Sequence, residues 1–190
     1  MLQVEGVKEN PQNRCYICKL ALLRKVRELA QSMGITAVAE GSNLDDKSDY
    51  RPGAKAVVEM NILIPLQELS FSKQEIREMS HHLGLETWQK PAYACLASRF
   101  VYGETLTEEK LQMVSRAEQF LIDRGFRQMR VRIHGDMARI ELLPEDMERF
   151  FQKEVRESVL QELTDAGFSR VTVDLAGFTS GSMNKGLTLK

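Results

Sequence analysis

The sequence predicts an α/β chain: a partial doubly wound parallel-sheet domain followed by a small α+β domain. Three observations carry this. From residue 14 to about 92, helical repeats alternate with short apolar runs, the order of an open parallel sheet. From about 93 onward the order becomes a capped helix, an alternating hairpin, a second long helical stretch and a last strand. A length of 190 residues with a hydrophobic fraction of 43% has room for two small cores. The division is placed at 1–92 and 93–190.

Each element has its own warrant. Apolar positions recur at Cys15, Cys18, Leu22, Val26, Leu29 and Met33, and Gly34 follows, so the spacing predicts a helix that carries both cysteines on its inward stripe. Ile35 to Ala39 reads as a buried parallel strand ending in the polar loop Glu40 to Asp46, the edge where open α/β sheets gather ligands. Arg51-Pro52-Gly53 opens a short helix to about Met60, and Asn61 to Pro65 reads as a second buried strand. Ser72 and Glu75 form a capping box that starts a helix to His82, stopped by Gly84.

In the second half, Thr107 caps a helix to about Arg124, with Glu108 and Glu109 in its first turn and Gly125 after its end. Arg127 to Ile133 and Met137 to Leu142 alternate around His134-Gly135-Asp136 as a hairpin. Pro144 starts one helix to about Ala166, and Val171 to Leu175 is the last strand. The stretches Leu121 to Arg132 and Leu163 to Asp174 share one frame: helix end, Gly-Phe, strand. The sheet is expected to be mostly antiparallel.

Net charge is −1, with 26 basic and 27 acidic residues interleaved. A general nucleic-acid binder would show a basic excess, so an anionic ligand must be held by a few placed arginines. No run reaches the roughly 18 apolar residues of a membrane span, and the N-terminus lacks the pattern of a signal peptide. A cytoplasmic protein is expected.

Cys15 and Cys18, three apart on a helix, can share a metal or cluster. Cys95, close to Ser98 and Arg99, would complete a three-cysteine site with one open position. Core packing, a Cys15–Cys18 disulfide and zinc are the alternatives. Arg99 would add an anion contact and favour the thiolate of Cys95. Arg130 and Arg132 leave one strand face together and suit bidentate phosphate or carboxylate recognition, with Glu118 on the preceding helix to orient them; a solvated charged face is the alternative. Asp45, Asp46 and Asp49 can hold Mg²⁺ through one or two carboxylates. His81 and His82 read as surface positions, and no histidine has metal-binding spacing with the cysteines.

Six motifs occur in order: Asn10-Pro11-x-x-Arg14-Cys15-Tyr16-x-Cys18-Lys19, Gly41-Ser42-Asn43-x-Asp45-Asp46 with Asp49 to Gly53, Pro91-Ala92-x-Ala94-Cys95-Leu96-Ala97-Ser98-Arg99, Arg130-Val131-Arg132, Ala138 to Glu141, and Asp174-Leu175-x-Gly177-Phe178-x-x-Gly181-Ser182-Met183-Asn184. Over nearly the whole chain they resemble the LarE-type sulfur-insertion enzymes of nickel-pincer cofactor biosynthesis, in the PP-loop ATP pyrophosphatase superfamily. The resemblance implies an adenine nucleotide alpha hydrolase-like first domain and a substrate and sulfur-transfer second domain. It implies that ATP and Mg²⁺ adenylylate a carboxylate of pyridinium-3,5-biscarboxylic acid mononucleotide, and that sulfur then displaces AMP. Some members sacrifice the sulfur of one loop cysteine, and Cys15, Cys18 and Cys95 match others that hold a [4Fe-4S] cluster. By the same matching, Cys95, Ser98 and Arg99 are catalytic, Glu118, Arg130 and Arg132 bind substrate, and Asp45, Asp46 and Arg51 bind the nucleotide.

The superfamily's Ser-Gly-Gly-x-Asp-Ser loop is absent, and Gly6 is no substitute. The expectation is therefore a chain matching the C-terminal two-thirds of the enzyme, with either a truncation or a separate chain supplying the front. A homo-oligomer is expected. A tRNA-thiolating PP-loop enzyme and a cluster-binding remnant without ATPase function are the rival readings; the balanced charge opposes the first, and the intact cysteine and arginine motifs oppose the second.

Overall fold

The structure is a computed structural model that describes residues 1–48, 50–90 and 94–179. Asp49, Pro91, Ala92, Gly181, Ser182, Met183 and Asn184, all named in the motifs above, lie outside these. Contacts divide the chain into one unit of Met1, Gln3–Val7 and Pro11–Ala92 and another of Leu2, Lys8–Asn10 and Tyr93–Lys190.

The first unit is helical. Helix α1 (Arg14–Ser32) ends at Met33, and Gly34 follows at φ +72° as the helix-stop reading requires. Helices α2 (Ala54–Glu59), α3 (Pro65–Glu68) and α4 (Lys73–His82) follow. The capping box of α4 is formed on both sides: Ser72 Oγ accepts from the Glu75 amide and Glu75 returns a carboxylate to the Ser72 amide. Leu44–Ser48 and Glu86–Gln89 are single turns of 3-10 helix.

Two expectations for this unit are corrected. The stripe through the cysteines is not the buried one: Cys15, Leu22, Leu29 and Met33 are exposed and Cys18 is half-buried. The core of Leu23, Ala56, Val57 and Ile62 takes α1 along Tyr16, Leu20 and Leu23, a line rotated from the cysteine stripe. Periodicity finds a helix, but its inward side is set by where α2 and Ile62 lie. The two expected strands reduce to one parallel bridge, Ala39 to Leu63, with Leu63 N–H on Val38 O at 2.9 Å and Glu40 N–H on Leu63 O at 2.9 Å. Parallel strands are stable when both faces are covered, whereas Ile35 here is exposed.

The second unit holds a three-stranded sheet. Helix α5 (Glu108–Asp123), capped by Thr107, leads to β1 (Met129–His134), β2 (Met137–Leu142), α6 (Pro144–Phe150), α7 (Lys153–Asp165) and β3 (Arg170–Val173). The strand order is β1-β2-β3, with β1 antiparallel to β2 and β3 parallel to β2, so the sheet is mixed where a mostly antiparallel one was expected. The expected helix from Pro144 to Ala166 is two helices, because Gln152 adopts an extended backbone (φ −55°, ψ 139°). No proline or glycine marks that break in the sequence. Segment Lys8–Asn10 belongs here: Asn10, buried and at φ +51°, donates Nδ2 to Val101 O at 2.7 Å, and Leu106 N–H bonds Lys8 O at 2.8 Å.

The repeated Gly-Phe frame is structural. Gly125 and Gly167 take φ +82° and +108°, and the amides of Phe126 and Phe168 return to Leu121 O and Leu163 O at 3.0 and 3.1 Å. Both rings are buried, as are Val131, Ile133, Ala138 and Ile140, whose face of the sheet is apolar. Alternation sends Arg130, Arg132, Arg139 and Glu141 to the opposite face.

Gly177 is held at φ +68° with its would-be Cβ 2.8 Å from Leu142 O, whereas Gly135, at φ +65°, has nothing within 4 Å. Gly177→Ala is expected to lower unfolding free energy in urea by about 2 kcal/mol or more, and Gly135→Ala by about 1 kcal/mol, the conformational cost alone. Equal losses would show that the backbone near Leu142 yields.

Candidate functional site

The polar face of the second unit is built from two buried ion pairs. Arg99, 1% exposed, sits in a 3-10 turn (Leu96–Arg99) and donates Nε and Nη2 to the two oxygens of Glu118, both at 2.8 Å. Glu118 lies on α5 and also accepts the Val131 amide at 3.0 Å, which fixes helix, turn and strand to one carboxylate. Arg132 donates Nε and Nη2 to Glu141 at 3.1 and 2.9 Å, and Glu141, 1% exposed, also accepts Arg139 Nη2 at 3.1 Å. The register makes this necessary. Arg132 stands directly opposite Arg139, a repulsive cross-strand pair, and one shared carboxylate relieves it.

Ser98 joins the two pairs. Its hydroxyl accepts Arg99 Nη1 at 2.8 Å and its carbonyl accepts Arg132 Nη1 at 2.7 Å. Arg99 Nη1 also reaches Ala94 O at 3.1 Å and Cys95 O at 3.4 Å, so the arginines hold the backbone of the cysteine turn while Cys95 itself is exposed.

Arg130 differs from its neighbours. It is half-buried, donates Nη1 to Met129 O at 2.6 Å and lies over the Phe178 ring, 5.1 Å from its centroid. Burial first, then the positive charges of Arg99 and Arg132, push its pKa below the ordinary guanidinium value. An anion at Arg130 would restore what burial and those charges remove. Arg99, Arg130 and Arg132 thus share one face, as the spacing of the last two required. Glu118 orients Arg99, whereas Arg132 is oriented by Glu141, a residue the sequence reading did not select. The signal was present: a two-residue turn at Gly135-Asp136 sets Glu141 opposite Arg130 and diagonal to Arg132.

The first unit carries the other candidates. Cys15 is exposed near the start of α1, with Arg14 Nη2 donating to its Sγ at 3.5 Å. None of the three cysteines is in a disulfide. Among the described residues, no group of three or more His, Cys, Asp or Glu side chains stands ready to hold a metal ion. The Asp45-Asp46 loop is tied by its own carboxylates. Asp45 Oδ2 accepts the Lys73 amide at 2.8 Å, capping α4, while Asp46 accepts the Asn43 amide at 3.0 Å and pairs with Arg51 at 2.7 Å. Beside it, Glu40 bonds both Lys19 and Ser42. Burial raises the Glu40 pKa, but those two partners outweigh it and hold the carboxylate below its usual range.

No family model matches the chain. A similar protein is an uncharacterized one of Synechocystis sp., 48% identical over 94% of this chain and 67% of its own length. The pyridinium-3,5-bisthiocarboxylic acid mononucleotide synthase of Lactiplantibacillus plantarum is 38% identical over 98% of this chain and 67% of its own length. The chain belongs to this synthase family. It is thereby an enzyme of the sulfurtransferase class. An uncharacterized protein of Methanocaldococcus jannaschii is 26% identical over 95% of the chain and 69% of its own length. The chain thus spans about two thirds of each of these relatives. No helix among the described residues is long and apolar enough to cross a membrane.

Two outcomes are expected of this face. Glu141→Ala leaves the buried Arg132 without its carboxylate beside half-buried Arg139 and should cost about 3–5 kcal/mol in chemical denaturation. A loss below about 1 kcal/mol would return the pair to the solvated-surface reading. His134 has its pKa lowered by burial, then by Arg139, with Arg132 adding and Glu104 and Glu141 opposing. A histidine kept neutral in the fold stabilises it above the unfolded value near 6.5, and this contribution is lost as pH falls through the lower folded value. NMR titration should therefore show His134 protonating at lower pH than a free histidine.

Proposed function

We propose that this chain carries the substrate-binding and sulfur-donating chemistry of a synthase that inserts sulfur into a carboxylate of pyridinium-3,5-biscarboxylic acid mononucleotide, in nickel-pincer cofactor synthesis. The observation that supports this most is the double tether of Ser98, with its hydroxyl on Arg99 and its carbonyl on Arg132. It holds the Cys95 turn against the arginine face, and three positions separate Ser98 from the thiol. Arg130 receives the substrate phosphate, with Ser98, Arg99, Arg132 and Glu118 fixing the shape of the face.

The chemistry requires an activated carboxylate, because a carboxylate oxygen is a poor leaving group. ATP supplies the activation: the carboxylate oxygen bonds the α-phosphorus and pyrophosphate leaves, giving an acyl adenylate. Sulfide then bonds the acyl carbon and AMP leaves with the C–O electron pair. Asp45, Asp46 and Arg51 are assigned to Mg²⁺ and nucleotide. Both oxygens of Asp46 are engaged, on Asn43 and Arg51, so Asp45 is the better magnesium ligand of the two. The positive field at Arg130 suits a substrate bearing both phosphate and carboxylates.

Cys15, Cys18 and Cys95 are assigned as ligands of a [4Fe-4S] cluster. Their chemistry fits, since all three are thiols outside disulfides and soft thiolates select iron–sulfur clusters or zinc. A cluster held by Cys15, Cys18 and Cys95 would supply the sulfur for transfer.

Anaerobic reconstitution with iron and sulfide is expected to give absorbance near about 400 nm, an iron–sulfur signature. Cys15→Ala, Cys18→Ala and Cys95→Ala should each reduce it. Stoichiometric zinc binding with no such absorbance would replace the cluster with a zinc site. Arg130→Lys is expected to weaken substrate binding about tenfold with the fold intact, because an ammonium cannot reproduce a planar fork. Unchanged affinity would remove Arg130 from the site.

A further inference from the structure

Among the described residues, two buried side-chain nitrogens lack a hydrogen-bond partner: His134 Nε2 and Arg139 Nε. Both belong to the polar sheet face. Arg139 stands opposite Arg132, and His134 stands opposite Met137, so His134 and Arg139 are diagonal neighbours across the hairpin. Native folds rarely leave a buried polar nitrogen unsatisfied, and each instance asks for a missing partner.

The rest of Arg139 is accounted for. Its Nη2 reaches Glu141 at 3.1 Å and its Nη1 lies 3.6 Å from Asp174. The carboxylates of the face are already shared: Glu118 with Arg99 and the Val131 amide, Glu141 with Arg132 and Arg139. Glu104, which faces His134, is bonded by Lys110 at 2.7 Å and by the Gly135 amide at 3.2 Å. Among the described residues, Arg99 pairs with Glu118, Arg132 and Arg139 share Glu141, and Arg139 also faces Asp174. Among the described residues, none supplies an acceptor for Arg139 Nε.

We propose that His134 and Arg139 form a second anion subsite on this face, which takes a carboxylate of the same ligand whose phosphate meets Arg130. The inference rests on the reading of Arg130 given above. A carboxylate suits the pair by chemistry: it has two oxygens, each able to accept one hydrogen bond from side chains at diagonal positions of the hairpin. The assignment requires the Nε2–H tautomer of His134, which donates while the ring stays neutral. Arg139 Nε–H donates to the other oxygen. A ligand with acid groups on opposite sides of a flat ring would be read at both ends of the face, and a ligand with phosphate alone would be read only at Arg130.

The test uses isothermal titration calorimetry of the 190-residue chain with two probes, pyridine-3,5-dicarboxylate and inorganic phosphate. His134→Gln and Arg139→Lys are each expected to weaken dicarboxylate binding about tenfold, the loss of one charge-assisted or buried hydrogen bond, with phosphate affinity within about twofold of wild type. Arg130→Lys should weaken phosphate. Dicarboxylate binding unchanged in both His134→Gln and Arg139→Lys, or no dicarboxylate binding to wild type, overturns the subsite and leaves a buried water as the partner of the two nitrogens. Phosphate binding indifferent to Arg130→Lys sinks the Arg130 reading instead. Should Arg139→Lys not fold, His134→Gln decides. An NMR titration gives an independent readout on the wild type: the imidazole of His134 should shift, and its pKa rise, with dicarboxylate. An unmoved imidazole at saturating dicarboxylate counts against the proposal.

Discussion

The bidentate pair between Arg132 and Glu141 is the constraint on which the second unit depends. It lies across β1 and β2, both side chains are almost fully buried, and the same carboxylate separates Arg132 from Arg139. Without Glu141 the hairpin register would set the buried Arg132 against half-buried Arg139 with no carboxylate between them. With it, Arg132 has a third nitrogen left for the Ser98 carbonyl, and through Ser98 the cysteine turn is fixed to the sheet. A buried ion pair is weak support for stability as such, since apolar residues of similar volume often do as well. Its use here is positional: it sets where a turn, a hairpin and an arginine row stand relative to one another.

Much of the second unit was legible because its signals are local. A Thr cap, a Gly-Asp turn between alternating runs, and two Gly-Phe frames each fix backbone geometry within a few residues. The first unit was legible only in its helices. The capping box at Ser72 and Glu75 is closed within four positions, but the strand readings at Ile35 to Ala39 and Asn61 to Pro65 depended on neighbours far along the chain. The helix stripe failed for the same reason. Cys15, Leu22 and Leu29 share a face, yet the residues that meet α1 came from α2 and Ile62, which approach along Tyr16, Leu20 and Leu23.

The candidate site divides along similar lines. Arg130 and Arg132 could be paired from spacing alone. Glu141 and Arg139 follow once the hairpin register is written out, so they were readable in principle. The Glu118–Arg99 pair was not, because no local rule brings a helix residue to a turn 19 positions away. Asp45 and Asp46 read as metal ligands in sequence, while in the fold most of their oxygens satisfy backbone amides and Arg51. An acidic loop before a helix has two calls on its carboxylates, and composition cannot rank them.

The two Gly-Phe closures carry a consequence for how the molecule assembles and opens. Each closure is a hydrogen bond spanning five residues, from Phe126 to Leu121 and from Phe168 to Leu163, so both can form before any distant pairing. Strand β3, by contrast, must cross two helices to lie beside β2. Asp174, which completes the charge arrangement at Arg139, directly follows that strand. Docking of β3 therefore comes late in folding, because its loop-closure entropy is lost before its contacts are gained. In reverse, undocking of β3 would part Val171 and Val173 from Ala138 and Ile140 on one face and Thr172 and Asp174 from Arg139 on the other, while the β1–β2 ladder keeps its own hydrogen bonds. Local opening that begins at β3 thus reaches both faces of this sheet edge together and leaves the β1–β2 hairpin paired.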